Sequence, residues 1–432
     1  MLTRTLLSAT ILATALGTGA AQAQDKPDAL KIGVATFLTG PASVFGVPAR
    51  DAAQMLAEEI NAEGGIAGVP LEISFIDEGA GGEALTTEYR RLVEEEGADI
   101  MFSGISSGNC MQIAPLAEDL EVINIMWDCG TQRVFEEGDY DYVFRTQSHA
   151  TAEMLAVVLY LLKTQPDFET IAVVNQDYAW GRDSWDIFST ALKAMKPDVE
   201  VVGEFFPAFG APDFSTEISR LSATRPDVIL STSWGGDLNT FVQQAAQRGL
   251  TQQSQFVLPL AESSLEALGP ALPDGVIVGG RGDHYFAHPE MVGTERFDSF
   301  VSSFKEETGA YPIYSVFHMV QAFEALKAAY AEAMEENGGS WPNDQELIAA
   351  YEGLEFQGMG RPVTIREGDH QGVEAQLIGT TVQSGDYPFA TLENMMIFDG
   401  AELTTPVGES SIDWVGALSP DFVEKIEPTT FD

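Results

Sequence analysis

Lys31-Ile-Gly-Val-Ala-Thr-Phe37, Leu71-Glu-Ile-Ser-Phe-Ile76, Ile100-Met-Phe-Ser103 and Val122-Ile-Asn-Ile-Met126 are four short apolar runs. Helix-length intervals separate them. The interval 49–62 carries apolar residues at helical spacing (Ala52, Met55, Leu56, Ile60), and 83–96 and 111–120 also read as helices. Strands that alternate with amphipathic helices build a parallel sheet covered on both faces. Right-handed crossovers then impose a doubly wound layout.

Working outward, the same alternation restarts after Arg145. Helices are predicted over 150–163, 184–195, 214–223 and 239–248. Strands are predicted over 171–175, 199–205, 228–231 and 256–258. A further strand, 275–280, precedes helical stretches at 295–308 and 315–336. Gly338-Gly339-Ser340-Trp341-Pro342 ends the second of these, and 344–351 is a short helix. Strands follow at 363–365 and 375–382, and the tail from Asp386 reads as Pro-punctuated and irregular. A chain of 432 residues exceeds what one core usually covers, so two α/β lobes are expected.

Upstream of this, Arg4, an apolar stretch over 6–16 and Ala21-Gln22-Ala23 read as a secretory signal cleaved before Gln24. The stretch is shorter than the about 20 residues a membrane span needs. No cysteine follows the cleavage pattern, so a lipoprotein anchor is not expected. Acids outnumber bases 66 to 22, a net charge of −44 spread along the chain. That field repels nucleic acid and anionic lipid, which sets nucleic-acid binding aside. It reads as a solvated acidic surface.

Several segments resemble the type I periplasmic binding proteins of branched-chain amino acid (Leu/Ile/Val) ABC transporters. They are Thr39-Gly40-Pro41-Ala42-Ser43-Val44-Phe45-Gly46 and Ile60-Asn61-Ala62-Glu63-Gly64-Gly65-Ile66-Ala67-Gly68, then Gly104-Ile105-Ser106-Ser107-Gly108. Phe144-Arg145-Thr146, Asp177-Tyr178-Ala179-Trp180-Gly181 and Asp369-His370-Gln371 continue the series in the same order. The resemblance spans about residues 30–380. It implies two doubly wound flavodoxin-like lobes joined by three crossovers, near 146–150, 279–283 and 353–360. Lobe 1 would comprise 24–147 with 281–355, and lobe 2 would comprise 148–280 with 356–385. Residues 386–432 would form a C-terminal extension packed on the lobes. It further implies a periplasmic, commonly monomeric protein that closes on a small-molecule ligand and delivers it to an ABC permease in the inner membrane, with no cofactor.

The candidate site follows from the same loops. Ser106, Ser107, Gly108 and Asn109 follow a strand and open a helix, where hydroxyls, amides and the helix N-terminus suit an anion. Asp128-Cys129-Gly130-Thr131 lies beside them, and the resemblance gives both loops, with Gly130 and Thr131, to a ligand carboxylate. Phe45, Trp127, Tyr178, Trp180 and Trp234 each follow a predicted strand and would line the cleft. Such bulk suits an aromatic ring, or a quaternary ammonium through cation–π contact. The family supplies an acid for an amino-acid ammonium from a "PE" dipeptide. Here Pro259-Leu260-Ala261-Glu262 displaces it, leaving Glu262 as the candidate, with Asp128 or Asp177 as substitutes. Cys110 and Cys129 open the two adjacent loops, within disulfide reach of each other.

Two other classes bear on these residues. Gly104–Gly108 fits G-x-S-x-G, the nucleophile elbow of a serine hydrolase, with His370 as its base; a two-lobed chain argues against it. A soluble sensory module shares the fold. The histidines (His149, His284, His288, His318, His370) show no ligand spacing, so no metal site is expected.

Overall fold

The structure is a computed structural model that describes residues 26–279 and 281–431; the secretory signal expected from the sequence lies outside the described residues. The first sheet contains β1 (Leu30–Thr36), β2 (Leu71–Asp77), β3 (Ile100–Ser103), β4 (Ile123–Met126) and β5 (Val143–Arg145), in the order β2-β1-β3-β4-β5. Every pairing in it is parallel. This is the flavodoxin-like order, in which ligands sit beyond the strand carboxyl ends where the winding reverses, between β1 and β3.

The second sheet repeats that order. Its parallel part runs β7 (Glu200–Phe205), β6 (Thr170–Val174), β8 (Val228–Leu230), β9 (Gln255–Val257), β10 (Ile277–Gly279). Three antiparallel strands then extend it on the β10 side: β14 (Gln376–Val382), β15 (Thr391–Phe398) and β16 (Thr429–Phe431). Between the sheets, β11 (Glu355–Gln357), β12 (Pro362–Ile365) and β13 (Gly372–Val373) make a small antiparallel sheet. Its Phe356, Val363 and Ile365 belong to the core of the first sheet, so the chain rejoins the second sheet only at β14.

Several elements depart from the sequence reading. The first helix is Ser43–Ala62, not 49–62, and continues through Pro48. Pro48 cannot donate to the carbonyl four residues back, that of Val44. Val44 is exposed, at 47%, so water can satisfy that oxygen. The tail after Asp386, read as irregular, supplies β15 and β16. Glu393 and Asn394 break the alternation expected of β15, because the ladder to β14 shifts register there.

Helix Ala150–Thr164 carries the chain from the first sheet into the second. Its residues from Ala150 to Leu162 are all buried, including Glu153. A helix apolar around its whole circumference belongs in a core. Helices Glu295–Thr308 and Tyr314–Glu336 return to cover the first sheet, contributing Phe297, Phe300, Phe317 and Phe323 to its core. No helix among the described residues is long and apolar enough to cross a membrane.

Cys110, on helix Ser107–Asp119, is bonded to Cys129, after β4. The bridge spans 19 positions, and closing a loop of that size restrains the unfolded chain by about 3 kcal/mol. Replacing both cysteines with serine should lower the urea midpoint accordingly, while reducing agent should lower that of the wild type alone.

Candidate functional site

The loops that leave the strands at the two winding reversals face one another. Phe45 follows β1, Ile105 and Ser107 follow β3, and Asp128 and Gly130 follow β4. From the second sheet, Tyr178 and Trp180 follow β6, Trp234 follows β8, Leu260 follows β9 and Arg281 follows β10. With Tyr314 at the start of helix Tyr314–Glu336, these residues enclose a cavity of about 20 Å³. That is room for about one water, so the two halves of the cleft are closed on each other.

Aromatic rings make the closure. Phe45 meets Trp234 edge-on with centroids 5.2 Å apart, and Tyr314 lies 5.2 Å from Phe45 on its other side. The Trp234 Nε1–H donates to the Tyr178 hydroxyl (2.7 Å), and the Trp180 Nε1–H donates to Thr232 O (3.1 Å). These bonds satisfy the polar ends of rings that are otherwise buried. Thr131 Oγ1 donates across the cleft to Asp183 Oδ2 (2.7 Å).

Arg281 sits behind the rings. Its guanidinium is paired with Asp128, from the first sheet's loop, and lies 3.3 Å from Glu153. It also stands over the rings of Trp180 (5.1 Å) and Tyr314 (5.3 Å). Burial disfavours its charge, but Glu153 and Asp128 more than offset that and raise its pKa above the ordinary arginine value. Gly130 makes room for this packing: a Cβ there would stand 2.5 Å from the Arg281 guanidinium and 2.6 Å from the Trp180 ring.

The predicted residues divide into two sets. Phe45, Ser107, Gly130, Tyr178, Trp180 and Trp234 line the cavity, and Thr131 bridges its two sides. The others are engaged elsewhere. Trp127 is wholly buried in the first sheet's core, donating to Ala35 O (3.3 Å). Ser106 and Asn109 serve Glu78: the Ser106 N–H (2.7 Å) and Asn109 Nδ2 (3.2 Å) both donate to Glu78 Oε1. The turn at Ser106–Asn109 is therefore occupied by the chain's own Glu78 carboxyl. Gly108 belongs to the same turn and is outside the cavity wall. Glu262 is buried beneath a different groove, beside Val47, Pro48, Phe286 and Tyr311. There its Oε2 accepts the Tyr314 N–H (3.1 Å) at the start of the long helix.

Sequence reading missed Arg281, Tyr314, Ile105, Leu260 and Glu78. For Arg281 a signal existed: it is one of only 22 basic residues and immediately follows a predicted strand. His370, proposed as a hydrolase base, stacks on Phe144 (4.1 Å), and its Nδ1 bonds Val143 O (3.1 Å). It makes no hydrogen bond to Ser106. Ligand spacing along the chain does not describe how the histidines meet in space. The fold brings His284, His318 and Glu374 together, one ligand-capable atom from each lying within 4.8 Å of the others. Spacing could not show this, because the three come from separate crossovers and a helix.

A pair of doubly wound α/β lobes closed over a small internal site is the architecture of a solute-binding protein. Residues 29–386 match the family described as periplasmic binding protein, and the chain belongs to that family. Leu/Ile/Val-binding protein homolog 4 of Brucella abortus is 26% identical over 417 residues, covering 91% of this chain and 94% of its own. A solute-binding protein of an ABC transporter from Rhodopseudomonas palustris BisB5, solved with 3,4-dihydroxybenzoic acid, superposes with a TM-score of 0.74 at 21% identity, covering 88% and 99% of the two chains. The leucine-, isoleucine-, valine-, threonine- and alanine-binding protein of Brucella ovis, in its closed conformation, gives 0.73 at 21% identity, covering 88% and 97%. Proteins of this family work outside the cytoplasm as the ligand-capturing components of ABC transporters.

Burial pushes Glu78 and Glu262 up to about 8 from an ordinary 4.5. Between those values the native chain holds protons that the unfolded chain has released. Stability must therefore decline as pH rises through that window. The thermal midpoint should fall from about pH 5 to about pH 9, and Glu262→Gln should flatten the decline relative to wild type. Equal slopes for the two proteins would remove Glu262 from the account.

Proposed function

We propose that this chain captures a small carboxylate bearing a ring in the periplasm and presents it to an ABC permease, acting as a binding protein and not an enzyme. The observation that carries this is the cage of Phe45, Tyr178, Trp180, Trp234 and Tyr314 around Arg281, the one cation among the described residues that line the cavity. The rings offer stacking faces, and the guanidinium with the Ser107 hydroxyl offers donors to a carboxylate. The aromatic-acid complex of the Rhodopseudomonas palustris neighbour supports the same class. A quaternary amine fits less well, because Arg281 already occupies the faces of Trp180 and Tyr314.

An α-amino acid is the second reading, favoured by the Asp128 carboxylate in the cavity wall and by the Leu/Ile/Val-binding relatives. It would require Asp128 to share its charge between Arg281, His318 and an ammonium. Glu262, committed to Tyr314, is a poorer partner.

Capture proceeds by closure. The ligand meets the first-sheet loops at Ser107 and Gly130, and Trp180 and Trp234 then swing over it. Contacts to both halves lower only the closed state, which is what a population shift needs. Lobes of 24–147 with 281–355 and 148–280 with 356–385 would move about the crossovers, and the packing of Phe356 and Val363 argues for taking 355–373 with the first. Export follows cleavage after Ala23, and the working unit is a monomer.

A thermal-shift screen of the mature protein against benzoates, aliphatic amino acids and betaines tests the ligand class. At 100 times its dissociation constant a true ligand stabilises by about 2.7 kcal/mol. Hydroxybenzoates should give the shift, and Arg281→Lys should weaken it at least about tenfold, the loss of one charge-assisted bond. A shift with leucine and none with benzoates would install the amino-acid reading. X-ray scattering should show compaction on saturation, and an unchanged radius of gyration would overturn closure.

A further inference from the structure

We infer that His284, His318 and Glu374 form a binding site for a divalent transition-metal ion, best suited to zinc, at the joint between the two halves of the molecule. His284 lies just beyond the second crossover, Glu374 lies between β13 and β14 on the third, and His318 projects from helix Tyr314–Glu336. All three are buried, at 6%, 1% and 0% exposure. Their ligand-capable atoms lie within 4.8 Å of one another. Tetrahedral zinc with nitrogen and oxygen bonds of about 2.0–2.2 Å needs such atoms about 3.3 Å apart, so modest side-chain shifts close the set.

The surroundings have the character of a prepared site. His318 Nδ1 donates to Asp128 Oδ1 (2.7 Å). That bond fixes the tautomer and leaves Nε2 as a lone pair, and Nε2 has no hydrogen-bond partner. A histidine whose far nitrogen is held by a carboxylate is the arrangement that orients zinc-bound imidazoles. His284 Nε2 is 2.7 Å from Glu374 Oε1 yet poorly aligned for a hydrogen bond, and neither of its ring nitrogens has a partner. Gln321, one turn along from His318, donates Nε2 to Glu374 Oε1 (2.7 Å), leaving its own Oε1 unpartnered. Buried polar atoms without partners are rare because each forfeits its hydration. Here two imidazoles with such atoms lie side by side, their ring centroids 5.0 Å apart. A cation would use the imidazole lone pairs, and Gln321 Oε1 or a water could complete four-coordination. Two imidazoles and a carboxylate suit zinc better than calcium or magnesium, which take all-oxygen shells.

The test is calorimetric titration of the chelator-treated, full-length mature protein with zinc chloride alone, repeated with His318→Ala and Glu374→Gln. One saturable, salt-insensitive site per chain is expected. Each variant should lose affinity at least about a hundredfold, since each deletes a ligand where even the loss of an outer partner costs 10–100-fold. Circular dichroism would establish that the variants are folded. Should His318→Ala unfold, Glu374→Gln, which keeps the side-chain volume, and the visible ligand-field spectrum of cobalt-loaded wild type decide the matter. A cobalt spectrum of low-coordinate nitrogen ligation supports the site, whereas an octahedral, all-oxygen spectrum overturns it. Weak, multiple and salt-sensitive binding that survives both substitutions would assign the ions to the acidic surface and overturn the proposal, as would no binding at all.

Discussion

A guanidinium shut away from water must be matched by charge, and Arg281 is matched from two directions. Asp128 approaches from the loop after β4, and Glu153 from the helix that carries the chain into the second sheet. Removing one partner from a buried pair strands the other in a medium that solvates it poorly. The joint between the halves therefore has one consistent arrangement, in which β4, β10 and helix Ala150–Thr164 converge on a single cation. The aromatic cage is arranged around that cation: Trp180 and Tyr314 lay their ring faces against it, and Phe45 and Trp234 pack outward from Tyr314. Asp128 also holds His318, so the same carboxylate belongs to the cleft wall and to the histidine cluster behind it.

Much of the architecture was legible because parallel βα units announce themselves twice, through apolar strands and through helical spacing. The two doubly wound sheets and the disulfide follow from that reading. Elements that owe their form to neighbours were not legible. β5, Val143–Arg145, is three residues long, too short to show a period of its own. β15 looks irregular until β14 is beside it, since the register shift turns Glu393 and Asn394 outward. Pro48 looked like a boundary, and only the solvent around Val44 shows why the helix tolerates it.

The site was legible by position and illegible by partner. Residues immediately after strands at the winding reversals do face the cleft, so Phe45, Trp180 and Trp234 could be named from sequence. Trp127 follows a strand too, yet it continues the inward pleat of β4 and fills the core. The turn at Ser106–Asn109 has the chemistry of an anion receptor, but sequence cannot say whose carboxyl arrives. Among 66 acids, nothing singles out Glu78. Glu262 carries the charge that an ammonium would need, but its carboxyl instead accepts the first N–H of a helix that begins 52 residues further along the chain. His284, His318 and Glu374 share no local pattern, and only the return of the chain across the joint assembles them.

Gly130 has a meaning that extends beyond this molecule. The space a side chain would need there is filled by the Trp180 ring and the Arg281 guanidinium, contributed by separate segments of the chain. Positions 130 and 180 thus divide a fixed volume. A relative that acquires alanine or serine at the first must surrender bulk at the second or move its arginine, and either change reshapes the cavity. Among related chains these two columns should vary together, and that pair would sort family members by the size of molecule they admit more directly than overall identity does.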